Sequence, residues 1–198
     1  MEQFVIEGGN PLSGTVTPAG NKNAALAVLA ATLLTDEEIV LKNVPAIGDV
    51  ITLVDLLRDL GVDVRETGSS YELTLCARSL NTTFLDPDLC RKARGGFMLS
   101  GPLLARHGRA TVPRPGGDKI GRRPLDTHLR ALEALGARIQ TNHIYEMQAP
   151  KGLKGADIFL DERSVTGTEN SVMAASLARG RTVIRNAASE PHVQELCR

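Results

Sequence analysis

The residues best equipped for chemistry form one stretch, Arg114-Pro115-Gly116-Gly117-Asp118-Lys119-Ile120-Gly121-Arg122-Arg123-Pro124-Leu125-Asp126. Gly116, Gly117 and Gly121 make its first half too glycine-rich for a strand or a helix. Cationic side chains flank Asp118 on both sides. Pro124 suits the first turn of a helix, where the missing N–H loses no hydrogen bond. A basic loop entering a helix N-terminus is a place where anions bind, because free backbone N–H groups and the helix dipole point there. A solvated surface loop is the competing reading of the same residues. Lys22 and Arg94 also fall at helix starts or loop ends. Arginine presents a planar fork of donors that matches carboxylate or phosphate oxygens, and lysine a compact charge. If Lys22, Arg94, Arg122 and Arg123 converge on one cleft, they would hold a small, multiply anionic ligand. Any one of them alone reads equally as a surface cation; their recurrence at equivalent places in a repeat favours the cleft. There is no P-loop or Rossmann glycine pattern, no Ser-His-Asp order and no metal-ligand cluster.

Composition narrows the classes further. The chain has 198 residues, 42% of them hydrophobic and only 3% aromatic, with no Trp, so the core must be aliphatic. Formal net charge is zero, which argues against nonspecific nucleic-acid binding. No apolar run approaches membrane-spanning length, and no basic-then-apolar signal opens the chain. Cys76, Cys90 and Cys197 are odd in number and widely spaced, which fits reduced thiols in a cytoplasmic protein.

The elements that must position these residues repeat along the chain. Phe4-Val5-Ile6 and Leu12 to Thr17 read as strands around a Gly8-Gly9-Asn10-Pro11 turn. Asn21-Lys22-Asn23 opens a helix from Ala24 to Leu34. Glu38 to Lys42 reads as a strand, and Asp49 caps a helix to Leu60 that Gly61 stops. Val62 to Arg65 and Tyr71 to Leu75 alternate as a hairpin around Gly68. The order then returns: a glycine-loosened helix from Cys90 to Arg106, a strand from Arg109 to Val112, the charged loop, a helix from Asp126 to Leu135, and a hairpin of Ala137 to Thr141 with Ile144 to Gln148. A third copy starts at Ile158-Phe159-Leu160. Glu169-Asn170-Ser171 opens a helix from Val172 to Ala178, Thr182 to Arg185 is a strand, and a last helix starts near Glu190-Pro191. The pattern is an α+β fold of tandem βαβαββ units with the third incomplete. It implies that this chain is part of something longer, with an unpaired edge that favours self-association.

Three motifs carry a resemblance. Gly20-Asn21-Lys22-Asn23-Ala24-Ala25-Leu26, Pro115-Gly116-Gly117-Asp118-Lys119-Ile120-Gly121-Arg122-Arg123-Pro124-Leu125-Asp126-Thr127-His128 and Ser164-Val165-Thr166-Gly167-Thr168-Glu169-Asn170 resemble the UDP-N-acetylglucosamine 1-carboxyvinyltransferase family of enolpyruvyl transferases. The likeness runs the whole chain, in order. Its loop sets it apart from the shikimate-pathway enzymes, 3-phosphoshikimate 1-carboxyvinyltransferases, that share the fold. The resemblance implies two domains of three units each, arranged as an α/β prism, with substrates in the cleft between. Residues 20–198 would be the first domain without its last elements. Residues 1–19 would be a strand segment that belongs with the second domain, which is missing from this chain.

By position, the resemblance implies that Lys22 and Arg123 hold phosphoenolpyruvate and that Arg94 faces a substrate phosphate. Asn23 would contact the sugar. Arg123, Pro124 and Leu125, with Ser164, Val165 and Thr166, would line the uridine diphosphate. Thr166 stands where many members have Gly. Asp118 stands where many members carry a cysteine that protonates the phosphoenolpyruvate methylene carbon, and some members carry Asp. Lys22, Arg123 and Asp118 are therefore the catalytic candidates, with no metal or organic cofactor. The implied reaction transfers the enolpyruvyl group of phosphoenolpyruvate to the 3-hydroxyl of UDP-N-acetylglucosamine, in the cytoplasm, for peptidoglycan synthesis. The alternative is a non-catalytic fragment that only binds the nucleotide sugar weakly.

Overall fold

A computed structural model describes residues 3–66, 72–117, 121 and 124–198. Its elements recur in threes. The first unit holds α1 (Lys22–Ala31), β1 (Glu38–Leu41), α2 (Gly48–Leu60), β2 (Asp63–Glu66) and β3 (Leu73–Cys76). The second holds α3 (Pro87–Lys92), a 3-10 segment (Arg94–Leu99), α4 (Ser100–His107), β4 (Arg109–Pro113), α5 (Asp126–Ala134), β5 (Arg138–Thr141) and β6 (Ile144–Gln148). The third holds β7 (Asp157–Phe159), α6 (Val165–Ser176), β8 (Val183–Arg185) and α7 (Pro191–Leu196).

The sheets confirm the repeat strand by strand. The first is ordered β1-β3-β2 and the second β4-β6-β5, both antiparallel. Leu75, at the centre of the first, lies opposite Ile39 and Val64; Met147, at the centre of the second, lies opposite Ala110 and Ile139. Both are buried, because alternation along a strand sends every second side chain inward. In the third unit β7 and β8 pair in parallel, Ile158 opposite Ile184. A parallel bridge between Phe84 and Thr111 stands at the same place in the second unit. Asn43, just after β1, and Asn186, just after β8, both take the left-handed conformation, at φ 58° and 57°. Asparagine tolerates that region better than other residues with a Cβ.

The core is aliphatic, as the composition requires. Leu29, Leu33, Leu53, Leu56, Leu57, Leu60, Leu99 and Leu103 are fully buried. Phe97 is the largest buried ring and meets His128 and Tyr145 edge-on, with centroids 5.2 and 5.3 Å away.

Four local differences from the sequence reading have physical causes. Phe4 to Ile6 and Leu12 to Thr17 form no strand, and Phe4, Ile6 and Leu12 are exposed; among the described residues nothing pairs with their backbone, and a strand needs a partner. Gly68 lies outside the described residues. The helix read from Cys90 to Arg106 is broken at Ala93, which is extended at φ −140°. Beyond the break the chain passes close to α2, where a Cβ on Gly96 would lie 2.9 Å from Leu56. Asp49 does not cap α2; the cap position is Ile47, and the Asp49 carboxylate instead accepts from Lys22 Nζ at 2.8 Å. Finally α6 begins at Val165, seven residues before the expected Val172, capped by Ser164, whose hydroxyl accepts from Gly167 N–H at 3.1 Å.

That early start places Glu169, Asn170 and Ser171 inside a buried helix. Asn170 Oδ1 accepts from Gly101 N–H at 2.8 Å, joining α6 to α4. The approach is close enough to require glycine: a Cβ on Gly101 would lie 2.6 Å from the Asn170 carbonyl oxygen and nearer still to Oδ1. Gly101→Ala should therefore destabilise the fold by about 1–3 kcal/mol, the cost of overpacking a filled interior. A urea midpoint unchanged from the parent chain would show that the α4–α6 contact yields more easily than its geometry implies.

Candidate functional site

Helix starts build the site. Asn21 caps α1, its Oδ1 accepting from Ala24 N–H at 2.9 Å, and so fixes Lys22 and Asn23 in the first turn. The break at Ala93 turns Arg94 out at the start of the 3-10 segment that leads into α4. The Ser164 cap sets Val165 and Thr166 at the start of α6. These three starts occupy equivalent places in the three units. Their backbone N–H groups have no carbonyl one turn back, so each presents a positive dipole end.

Two adjoining cavities, of about 170 and 500 Å³, lie where the three starts meet. Asn23, Leu26, Arg94, Met98, His128 and Thr166 line both. Lys22, Asp49, Lys92 and Leu125 add to the smaller, and Pro124, Arg163, Ser164 and Val165 to the larger. Arg94 donates to the Pro124 carbonyl at 3.2 Å and so ties the 3-10 segment to the far end of the charged loop. The near end of that loop is anchored too: Gly116 N–H donates to the Cys90 carbonyl at 2.9 Å. A Cβ on Gly116 would overlap the Arg91 backbone, so only glycine fits there. Lys22 meets Asp49 in a half-exposed pair, which an entering anion would compete for. A third hollow, about 280 Å³ between Val44 and Leu73, is mainly apolar and away from these groups.

Of the residues singled out in the sequence, Lys22, Asn23, Arg94, Pro124, Leu125, Ser164, Val165 and Thr166 line these two cavities. Asp118, Arg122 and Arg123 lie outside the described residues. Pro124 precedes α5 rather than opening it, since Leu125 holds the cap position. Among the described residues no cluster of His, Cys, Asp and Glu suits a metal ion, and no helix is long and apolar enough to cross a membrane.

The wall also contains polar residues that the sequence reading passed over. His128 is 4% exposed on α5. Its Nδ1 lies 3.2 Å from Asn170 Nδ2, and its Nε2 3.1 Å from Thr166 Oγ1. Burial, aided by the Arg94 charge, pushes its pKa down to about 3. Glu169, 1% exposed, also lines the larger cavity. Burial, aided by Glu190, pushes its carboxyl up to about 7. Its Oε1 lies 3.8 Å from His192 Nε2 on α7, and neither atom has a hydrogen-bond partner among the described residues. The signal was present: polar side chains among apolar ones on the inward faces of helices. Yet Glu169-Asn170-Ser171 reads just as well as an exposed helix cap.

The two shifts act on stability in opposite senses. Glu169 holds a proton in the folded chain that the unfolded chain releases above about pH 4.5, so its contribution falls as pH rises towards 7. His128 stays neutral in the folded chain while the unfolded chain takes up a proton below about 6.5, so its contribution falls as pH drops towards 3. Glu169→Gln should remove the first effect. Its stability relative to the parent should rise by roughly 1 kcal/mol per pH unit between pH 5 and 7. Urea titrations across that range measure it, and a difference independent of pH would mean that Glu169 ionises freely in the fold.

Comparison with known proteins agrees with this geometry. A family model described as EPSP synthase (3-phosphoshikimate 1-carboxyvinyltransferase) matches residues 6–198. The chain is 53% identical over 194 residues to a UDP-N-acetylglucosamine 1-carboxyvinyltransferase of Bradyrhizobium diazoefficiens, covering 98% of this chain and 44% of that protein. It is 50% identical over 198 residues to the protein of the same name in Treponema denticola, covering 100% of this chain and 46% of that one. The chain therefore spans about half the length of these relatives. In fold it is similar to the enolpyruvyl transferase NikO from Streptomyces tendae, with TM-score 0.80 and 19% identity over 96% of this chain and 44% of that one. It is also similar to an EPSP synthase from Acinetobacter baumannii, with TM-score 0.71 and 19% identity over 91% of this chain and 42% of that one. Its sequence along almost its whole length, its repeated α+β units and the cleft at their helix starts agree: the chain belongs to the EPSP synthase (3-phosphoshikimate 1-carboxyvinyltransferase) family of enolpyruvyl transferases.

Proposed function

We propose that this chain forms one wall of an active site that transfers the enolpyruvyl group of phosphoenolpyruvate to the 3-hydroxyl of UDP-N-acetylglucosamine, in the cytoplasm, as a step towards peptidoglycan. The observation that carries the reading is identity of about half the residues, over essentially the whole chain, to relatives named for that reaction. The cleft supports it: a nucleotide sugar and phosphoenolpyruvate are both polyanions, and Lys22, Arg94 and Arg163 converge there with the three helix starts. Three unpaired cysteines suit a reducing compartment.

In this reading Lys22 and Arg123 hold phosphoenolpyruvate, Arg94 faces a substrate phosphate and Asn23 contacts the sugar. Arg123, Pro124, Leu125 and the Ser164–Thr166 turn hold the uridine diphosphate. The sugar oxygen bonds to the central carbon of phosphoenolpyruvate while Asp118 delivers a proton to the methylene carbon. The C–O bond to phosphate then breaks, and a proton leaves the new methyl group to restore the double bond. The sugar hydroxyl's own proton needs an acceptor, and none of the matched residues supplies one. A second half, of the length that the relatives have, would provide the opposite wall and that acceptor. This favours a second reading for the chain by itself: it binds the nucleotide sugar without turning it over, and its unpaired edge favours self-association.

Calorimetric titration separates these readings. The chain should bind UDP-N-acetylglucosamine in preference to shikimate 3-phosphate, and should release no phosphate from a mixture of phosphoenolpyruvate and the nucleotide sugar. Preference for shikimate 3-phosphate would move the protein to the other branch of the family, and turnover by the chain alone would overturn the need for a second wall. In a protein that includes the second half, Asp118→Asn should slow turnover by roughly a hundredfold or more, the usual worth of a general acid. Near-native turnover of that variant would remove Asp118 from the mechanism.

A further inference from the structure

The buried hydrogen bonds beside the cleft fix where each proton sits. Gly101 N–H can only donate, so the Asn170 atom it meets at 2.8 Å is the carbonyl oxygen Oδ1. The amide nitrogen Nδ2 then faces Ser100 Oγ at 3.0 Å and His128 Nδ1 at 3.2 Å. The Ser100 hydroxyl donates its own proton to the Phe97 carbonyl at 2.7 Å, so its oxygen is left to accept. Both hydrogens of Asn170 Nδ2 are thereby directed, and His128 Nδ1 must accept one of them. A neutral imidazole that accepts at Nδ1 carries its hydrogen on Nε2. Nε2 lies 3.1 Å from Thr166 Oγ1, so the threonine oxygen accepts from the ring and its own hydrogen is left for another partner.

That hydroxyl lies in the first turn of α6, on the wall shared by both cavities. The free N–H groups of the turn are there, and Arg94 and Arg163 line the larger cavity with it. With the opposite tautomer, Thr166 would donate into the protein and present only lone pairs to an incoming anion. We propose that the Thr166 hydroxyl is an oriented hydrogen-bond donor to a phosphoryl oxygen of the nucleotide, and that His128 is the positioning residue that aims it through the Nε2–H tautomer. The inference rests on the nucleotide-sugar reading of the cleft and adds to it a side chain, where the family resemblance implies no more than a lining position.

Nuclear magnetic resonance on the nitrogen-15-labelled chain tests both halves. Long-range proton–nitrogen spectra should show His128 with a bare Nδ1 and a protonated Nε2, with no ligand added. Titration with UDP and, separately, with uridine then reads the donor. Thr166→Val should weaken UDP binding roughly ten- to a hundredfold, the range for losing one hydrogen bond to a charged group. Thr166→Ser should restore it to within about twofold, and uridine should not distinguish the variants. The substitutions sit in an exposed first turn, so folding survives them. His128→Asn should give a loss no larger than that of Thr166→Val, and the double variant no further loss, because both remove one donor. A hydrogen on Nδ1 overturns the proposal without touching the nucleotide reading. Equal UDP affinity for Thr166→Val and the parent overturns the donor. A parent chain with the stated tautomer that fails to bind UDP overturns the nucleotide reading, and the donor's role with it.

Discussion

One buried carboxamide holds the helical layer of this fold together. Asn170 takes a backbone hydrogen from α4 and gives one of its own to Ser100 on α4 and the other to His128 on α5. A polar group so deeply buried would cost several kcal/mol if left unpaired, and here every hydrogen of the amide has a partner. The arrangement allows only one relative position of α4, α5 and α6. Gly101 has no Cβ for the same reason, and Phe97 packs its ring edge-on against the histidine that Asn170 fixes. The apolar core supplies the bulk of the burial; the amide sets the register in which the helices meet.

The cleft follows from that register. Three repeated units, the third shorter than the other two, bring three equivalent helix starts together. Each start is made by a local device: an asparagine cap for α1, an extended Ala93 before the 3-10 segment, a serine cap for α6. Dipole ends that gather in this way repel one another, and a bound polyanion relieves the repulsion. The same crowding of positive charge helps keep His128 neutral, and burial, aided by Glu190, raises the Glu169 carboxyl to about 7. The chain that carries this cleft spans about half the length of the relatives it matches.

Much of this was legible in the residues. Strands alternate with a period of two, and so β4, β5 and β6 lie within a residue of where the pattern puts them. Glycine stops such as Gly61, at φ 102°, are set by backbone sterics alone. The helix start at Lys22 was legible because a cap is a local feature; Pro124 and Ser164 were tied to the same cleft only through the family resemblance. What escaped was tertiary. Val165, Thr166 and Gly167 have weak helix propensity, so nothing local says that α6 begins there; packing against α4 and α5 overrides them. Asp49 has the chemistry of a cap, and a lysine from another helix claimed it instead. Asn170 and His128 look like surface polar residues until the helices that satisfy them are placed side by side.

The central claim is that the three helix starts, at Lys22, Arg94 and Val165, form the binding surface. Mapping backbone amide shifts of the labelled chain during titration with UDP-N-acetylglucosamine tests it most directly. The account predicts perturbations gathered at residues 22–26, 94–98, 124–128 and 163–169. Shifts gathered instead around the apolar hollow between Val44 and Leu73, or no shifts at all, would contradict it.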